Sequence, residues 1–88
     1  MAYTGITAQW KRMKKEYPDA VVLFRCGDFY EAYEDDAKVC ADVLGITLTR
    51  RKNNCLRIAG FPHHALDIYL PKLIKAELRV CICDPMDK

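Results

Sequence analysis

The sequence has no long hydrophobic run, no C-x-x-C pair and no glycine-rich phosphate loop. Without a stretch of about 20 apolar residues, and without a charged leader before an apolar segment, we expect neither a membrane span nor a secretory signal. Neither G-x-x-x-x-G-K-[ST] nor G-x-G-x-x-G occurs, so no loop of this chain is suited to hold nucleotide phosphates. The chain is therefore predicted not to hydrolyse nucleotide and not to bind a membrane.

A large excess of one charge is also missing. Lys and Arg number 14 and Asp and Glu number 12, a net charge of +2. This balance excludes binding to nucleic acid through overall charge, so any electrostatic contact must be local. The basic residues do cluster, as Lys11, Arg12, Lys14 and Lys15 and as Arg50, Arg51 and Lys52. A solvated surface explains such clusters as well as a binding surface does.

Size and cysteine content indicate one ordinary domain. The 88 residues, 51% of them hydrophobic and 30% charged, suffice for a single globular domain covering residues 1–88. The five cysteines are odd in number and lack the spacing of a disulfide framework. We therefore predict buried thiols in a reducing compartment and a cytoplasmic location.

Hydrophobic periodicity predicts a mixed α/β domain of the α+β type, in which three helices cover a small mixed sheet of about five strands. The predicted order is α-β-β-α-β-β-α-β. The first helix has an apolar face of Ile6, Trp10, Met13 and Tyr17 and ends before Pro18; the strands "AVVLFRC" and Phe29 to Tyr33 follow. Next we predict a helix closed by Gly45, strand "GITLT", a polar loop from Arg50 to Asn54 and strand "LRIAGF". The third helix begins at Pro62 with a kink or break at Pro71, and strand "LRVCIC" follows it.

The segment "RCGDFYEAYEDD" is the most acidic part of the chain and contains two aromatics whose placement needs an explanation. Glu34, Asp35 and Asp36 have an ordinary one, since acids stabilise the positive end of a helix dipole. On a strand, Phe29 and Glu31 would share one face and Tyr30 would face the other way. An aromatic wedge beside a carboxylate is suited to enter between base steps, although a core position is the more common reason for such a Phe.

Metal binding and catalysis find less support in the sequence. His63, His64, Cys81, Cys83 and Cys55 carry suitable donor atoms, but their spacing does not match known zinc sites, so no metal is predicted. No glycine-rich turn lies near a cysteine to form an oxyanion site, and three of the five acids already have a structural explanation. We therefore predict no catalytic residues.

Several ordered motifs resemble one family. The segments "RCGDFYEAYEDDAKVCADVLGITLTRR", "IAGFPHHALDIYLPKL" and "VCIC" are similar to the N-terminal mismatch-recognition domain of the MutS family, from about Thr7 to Cys83. The resemblance implies that Phe29 stacks on a mispaired or unpaired base from the minor groove and that Glu31 hydrogen-bonds this base. It also implies that the chain needs no cofactor, because ATP and Mg²⁺ belong to other domains of the full-length family.

Mismatched double-stranded DNA is the partner that the resemblance implies, together with the remaining domains of a MutS-like protein or a repair partner. One stacked aromatic contributes about 1 to 3 kcal/mol, roughly what unstacking a base step costs. Phosphate contacts from Arg50, Arg51 and Lys52, or from the basic first helix, would have to supply the net affinity, so the isolated domain is expected to bind weakly. The alternative is a non-catalytic protein-interaction domain that keeps this fold with little affinity for DNA.

Overall fold

A computed structural model describes residues 2–50 and 56–84, with side chains from Ala8 onward. The predicted order of helices and strands is confirmed, with a short 3₁₀ helix (His63–Ala65) before the third helix. The elements are α1 (Ala2–Glu16), β1 (Ala20–Cys26), β2 (Phe29–Tyr33), α2 (Glu34–Leu44), β3 (Thr49–Arg50), β4 (Arg57–Pro62), α3 (Leu66–Lys75) and β5 (Arg79–Cys83).

The five strands form one mixed sheet in the order β3-β4-β2-β1-β5. β1 runs parallel to β5, and the other neighbouring pairs are antiparallel. Because side chains alternate along a strand, the sheet has two apolar faces. One face packs against α2 and α3 through Leu23, Tyr30, Ala59, Phe61 and Leu73, among others. The other face carries Val22, Phe24, Tyr33, Leu56 and Ile58, against which Trp10 and Met13 of α1 pack.

Asp36 joins α1 to the sheet and to α2. The three acids do lie in the first turn of α2, as predicted, but Asp36 is only 4% exposed. Its carboxylate accepts hydrogen bonds from Trp10 Nε1 at 3.2 Å, Lys14 Nζ at 3.0 Å and the backbone N of Val22 at 3.1 Å. Three donors satisfy the buried carboxylate, which would be costly to bury without hydrogen bonds. Asp36 is therefore an internal connector as well as an acid at a helix start.

The sequence-based prediction for the region after α2 is only partly correct. Gly45 ends α2 as predicted, with φ of 71° and its N–H donating to the carbonyl of Ala41. The strand predicted for "GITLT" is wrong over residues 45–48, since only Thr49 and the following Arg50 pair with β4. The polar loop was predicted to begin at Arg50, which is instead the last residue of β3. Residues 51–54 of that loop lie outside the described residues.

Of the predicted kink or break at Pro71, the break is wrong, because α3 continues through this proline to Lys75, while the kink stays a prediction. Pro71 removes one backbone donor, but the fully buried Leu73 holds the second half of the helix on the sheet. Pro62 is the last residue of β4, one turn of 3₁₀ helix before α3 begins. The predicted end of the first helix before Pro18 is confirmed, although Tyr17 follows the helix and is largely exposed.

The thiols are less uniformly buried than predicted. Cys40 is fully buried, whereas Cys26, Cys81 and Cys83 are half-buried, and all four are free thiols. Cys81 and Cys83 share one face of β5, as the alternating pattern predicts, with their sulfurs 3.9 Å apart. Burial raises the pKa of the Cys83 thiol to about 11. Cys55 lies outside the described residues.

Candidate nucleic-acid interface

A two-residue turn between β1 and β2 places Phe29 at the start of its strand. Gly27 has φ of 61°, a left-handed conformation that glycine adopts without strain. Arg25 Nε donates to the carbonyl of Gly27 at 2.6 Å, and the backbone N of His63 donates to the carbonyl of Asp28 at 2.7 Å. The turn is thus attached both to its own strand and to the segment after β4. These bonds fix the backbone that carries Phe29.

Phe29 is one of the exposed large apolar side chains, with 46% of its surface accessible. Its neighbour Tyr30 is 7% exposed and packs on the opposite face against Phe61, with ring centroids 6.0 Å apart. The register pairs Phe29 with Cys26 and Pro62, and Glu31 with Phe24 and Gly60. Phe29 and half-buried Glu31 therefore lie on one face of the sheet, as the alternating pattern predicts.

Phe29 and Glu31 line an open groove of about 440 Å³. Its other lining residues come from the segment between α2 and β3 and from β3 and β4 themselves: Ile46, Thr47, Thr49, Ile58 and Gly60. The lining is mainly apolar, with hydroxyls and one carboxylate among it. Such a surface can stack on a flat ring and offer a few polar atoms to its edge.

Glu31 belongs to a hydrogen-bonded chain on this face. Tyr33 donates its hydroxyl proton to Glu31 Oε1 at 2.9 Å, and the Cys26 sulfur lies 3.3 Å from the same hydroxyl oxygen. Tyr33 is 1% exposed, and burial raises the pKa of its phenol, with the Cys26 thiol and the Glu31 carboxylate adding to the effect. The Tyr33 hydroxyl therefore stays protonated and remains a donor.

Gly60 gives the Glu31 side chain its space. A methyl group at this position would lie 2.9 Å from the Tyr30 carbonyl oxygen and 3.3 Å from Glu31 Cγ. The first separation is too short for a carbon atom, and the second is tight. The absence of a side chain at Gly60 thus allows β2 and β4 to pair while Glu31 extends over β4.

The basic residues predicted to bind phosphate are only partly described. Arg50 is exposed on the edge strand β3, where its cross-strand partner is Arg57. Arg57 is engaged elsewhere, with Nε 3.2 Å from Glu34 Oε1 and Nη2 3.0 Å from Asp35 Oδ1. By alternation Arg50 does not share the face of Phe29, but its neighbour Thr49 lines the groove. Arg51 and Lys52 lie outside the described residues.

The basic residues of α1 divide into two groups. Lys14 is held inside the domain by Asp36 and by the carbonyl of Ala20, at 3.0 and 2.5 Å. Lys11, Arg12 and Lys15 are exposed. Of the predicted α1 cluster, these three are therefore the side chains that point into solvent.

The metal candidates that the structure describes do not assemble into a site. Over residues 2–50 and 56–84, no group of three or more His, Cys, Asp or Glu side chains is placed to hold an ion. His63 and His64 stack edge to face, with ring centroids 5.9 Å apart.

Among the described helices, none has the length and apolar character needed to cross a membrane.

Sequence reasoning missed two contributors to this face, Tyr33 and Gly60. Tyr33 follows Glu31 by two residues, so the same alternation that pairs Phe29 with Glu31 indicates its direction. Its hydroxyl contact depends on side-chain geometry that the pattern does not contain. Gly60 carries no signal beyond being a glycine inside a strand, which is often a place of close backbone approach.

Comparison with known proteins identifies the family of the chain. The family model for MutS domain I matches residues 4–88. A DNA mismatch repair protein MutS of Bacteroides fragilis is 58% identical over 82 residues, which cover 90% of this chain and 10% of the relative. The MutS proteins of Porphyromonas gingivalis and Salinibacter ruber are 53% and 51% identical over 87 residues, 96% of this chain and 10% of each relative. The chain thus spans about a tenth of these relatives' length, and it belongs to the MutS domain I family.

Proposed function

We propose that this domain binds mismatched double-stranded DNA and that Phe29 and Glu31 recognise the mismatch. Phe29 enters between base steps from the minor groove, and Glu31 hydrogen-bonds the displaced base. The observation that carries the proposal is the exposed Phe29 ring beside Glu31, on a hairpin whose turn is hydrogen-bonded on both sides. A ring carried on a backbone held in this way can meet a base step without the turn first having to be ordered.

The energetics favour mismatches. Inserting a side chain between properly paired bases costs a few kcal/mol, and the stacked ring returns about 1 to 3 kcal/mol. A mispaired step has already lost part of its stability, so the same wedge costs less there. The ring therefore distinguishes a mispaired step from a paired one by how easily the DNA deforms, and it does not read the base sequence. The carboxylate repels phosphates of both duplexes alike, and only a displaced base with a complementary polar atom offsets that repulsion.

Phosphate contacts supply the remaining affinity in this proposal. Arg50, Arg51 and Lys52 are the residues we assign to them, and each neutralised phosphate adds salt-sensitive affinity. Few such contacts are expected from so small a surface, so the 88-residue chain alone binds weakly. The relatives are named as DNA mismatch repair proteins, and we propose the same process for this chain, with the rest of a MutS-like polypeptide as its partner. The cytoplasmic location stays a prediction.

A fluorescence titration with labelled duplexes tests the proposal. The chain is titrated with a matched duplex and with one that differs by a single mispair, at low salt. Binding is expected to favour the mismatch, and Phe29→Ala to lower mismatch affinity by about 5- to 100-fold, the equivalent of one lost stack. Ile68→Ala is the matched control, since Ile68 is also exposed but lies on α3. It should leave binding unchanged.

A protein-interaction domain is the second candidate, favoured by the exposed apolar side chains of α3. Ile68 and Ile74 are more than half exposed, and Ile74 lines an open apolar surface together with Leu70 and Pro71. If this candidate is correct, the domain binds the matched and mismatched duplexes with equal affinity, and Phe29→Ala does not change either affinity. That outcome would overturn mismatch recognition by the Phe29 face.

A further inference from the structure

We propose that Tyr33 is a positioning residue for mismatch recognition, whose hydroxyl holds the Glu31 carboxylate in place beside the Phe29 ring. The inference rests on the proposed function of Phe29 and Glu31 and adds a third residue to it. Tyr33 itself does not reach DNA, because it is 1% exposed. It acts through the 2.9 Å hydrogen bond from its hydroxyl to Glu31 Oε1.

The direction of the hydrogen bonds follows from counting protons. The Tyr33 hydroxyl has one proton, which it donates to Glu31. The contact of 3.3 Å between the same oxygen and Cys26 then requires the thiol to be the donor. The chain therefore runs from the Cys26 thiol through the Tyr33 hydroxyl to the Glu31 carboxylate. Its donors point toward Glu31, so the carboxylate is the acceptor at the end of the chain.

Tyr33 is rigid enough to position another side chain. Its ring packs in the core beside Phe24, with ring centroids 6.1 Å apart. Tyr33 and Ile58 belong to the same buried apolar cluster. A glutamate, by contrast, loses much rotamer freedom when it is ordered. A hydrogen bond from a fixed hydroxyl orders the carboxylate before DNA arrives, which lowers the entropic cost of binding. The space over Gly60 allows the orientation that this bond selects.

The proposed geometry connects core packing to base recognition. The ring of Tyr33 is part of the apolar core, while its hydroxyl reaches the surface groove through Glu31. Removing the hydroxyl alone should therefore leave the fold intact and take this hydrogen bond from the carboxylate. A carboxylate that has lost this bond still repels phosphate but is oriented less well toward the displaced base, so selectivity should fall more than total affinity.

Tyr33→Phe tests the inference, with Tyr30→Phe as the matched control. Tyr30 is the other buried tyrosine of β2, and its ring packs on the opposite face of the sheet. In the duplex titration, Tyr33→Phe is expected to reduce the ratio of mismatched to matched affinity by about 2- to 5-fold, as expected for one lost hydrogen bond. Tyr30→Phe should leave the ratio unchanged.

A double-mutant cycle separates positioning from a structural effect. In a Glu31→Ala background, Tyr33→Phe should have no further effect on the ratio, because the group it positions is gone. A structural role would give the same loss in both backgrounds, and that result would overturn the inference. A readout without DNA is the NMR signal of isotope-labelled tyrosine side chains, in which the Tyr33 resonance should shift in Glu31→Ala and stay in place in Phe29→Ala.

The two levels of the proposal fail in different ways. If Phe29→Ala does not alter mismatch preference, the proposed function falls, whatever Tyr33 does. If Phe29→Ala abolishes the preference while Tyr33→Phe retains it in full, only the role of Tyr33 falls. An unchanged Tyr33 resonance in Glu31→Ala would likewise overturn the hydrogen bond on which the inference depends.

Discussion

Lys14 Nζ lies 3.0 Å from Asp36 Oδ1, and this ion pair joins the first helix to the second beside strand β1. The pair is mostly enclosed, and the same carboxylate also binds the indole of Trp10 and the backbone of Val22. One residue of the acidic run therefore serves the fold, while Phe29 at the start of β2 is exposed at the surface.

Asp36→Ala should destabilise the domain strongly. The change leaves the Trp10 indole, the Lys14 ammonium and a strand amide without their acceptor, and we expect a loss of about 2 to 4 kcal/mol in the free energy of unfolding. Asp35→Ala is the control, because Asp35 has a side chain 89% exposed and contributes a surface ion pair only. Urea denaturation measures both, and equal midpoints would contradict the connecting role of Asp36.

Gly60→Ala should reduce both stability and selectivity. The added methyl group would press on the Tyr30 carbonyl and on Glu31 Cγ, at a cost of about 1 to 3 kcal/mol. Because it displaces Glu31, it should also lower the preference for the mismatched duplex. Gly45→Ala is the comparison, since a methyl group there meets nothing within 4 Å and suffers only from the positive φ. It should lower stability and leave the binding ratio as it is.

Arg50→Ala should weaken binding to matched and mismatched duplexes by the same factor. A residue that contacts phosphate carries no base information, so selectivity is kept while the slope of log affinity against log salt decreases by about 1. Lys75→Ala removes a charge from α3, away from β3, and should leave the slope in place. An identical slope for wild type and Arg50→Ala would remove Arg50 from the proposed interface.

Stability should fall in alkaline solution because of Cys40. Burial, with the Asp36 charge adding to it, raises the pKa of this thiol from 9.0 to about 12. The folded state thus favours the protonated thiol, and this contribution is complete below about pH 9 and is lost as the pH rises toward 12. Urea midpoints measured from pH 7 upward should decrease above pH 9 in the wild type. In Cys40→Ala the decrease should be smaller, and an identical decrease would exclude Cys40 as its origin.

The elements that the sequence predicts well are those with a local chemical cause. Gly45 ends a helix because it tolerates a left-handed backbone, and Phe29 and Glu31 share a face because strands alternate. What failed depends on distant partners. Pro71 is tolerated because Leu73 is buried on the sheet, and the strand-like residues 45–48 do not pair with β4.

The same distinction holds for the candidate site. The pattern predicts that Phe29 and Glu31 share a face, and the resemblance implies that Phe29 is exposed there, but neither predicts that the carboxylate receives the hydroxyl of Tyr33. Asp36 gives a second example, since its Trp10 partner lies 26 residues away and no local pattern relates the two. Contacts of this kind require the packed domain, because they arise only when separate elements meet.

The adjacency of Phe29 and Tyr30 makes strand register a condition for any activity of this face. A one-residue slip of β2 against its neighbours would move Phe29 and Tyr30 each to the opposite face of the sheet. The remaining side chains of the strand would change faces as well. The bond between the His63 amide and the Asp28 carbonyl resists such a slip at the end nearest Phe29. An error in strand register would thus be enough to abolish the activity of this face, even if the sheet itself still forms.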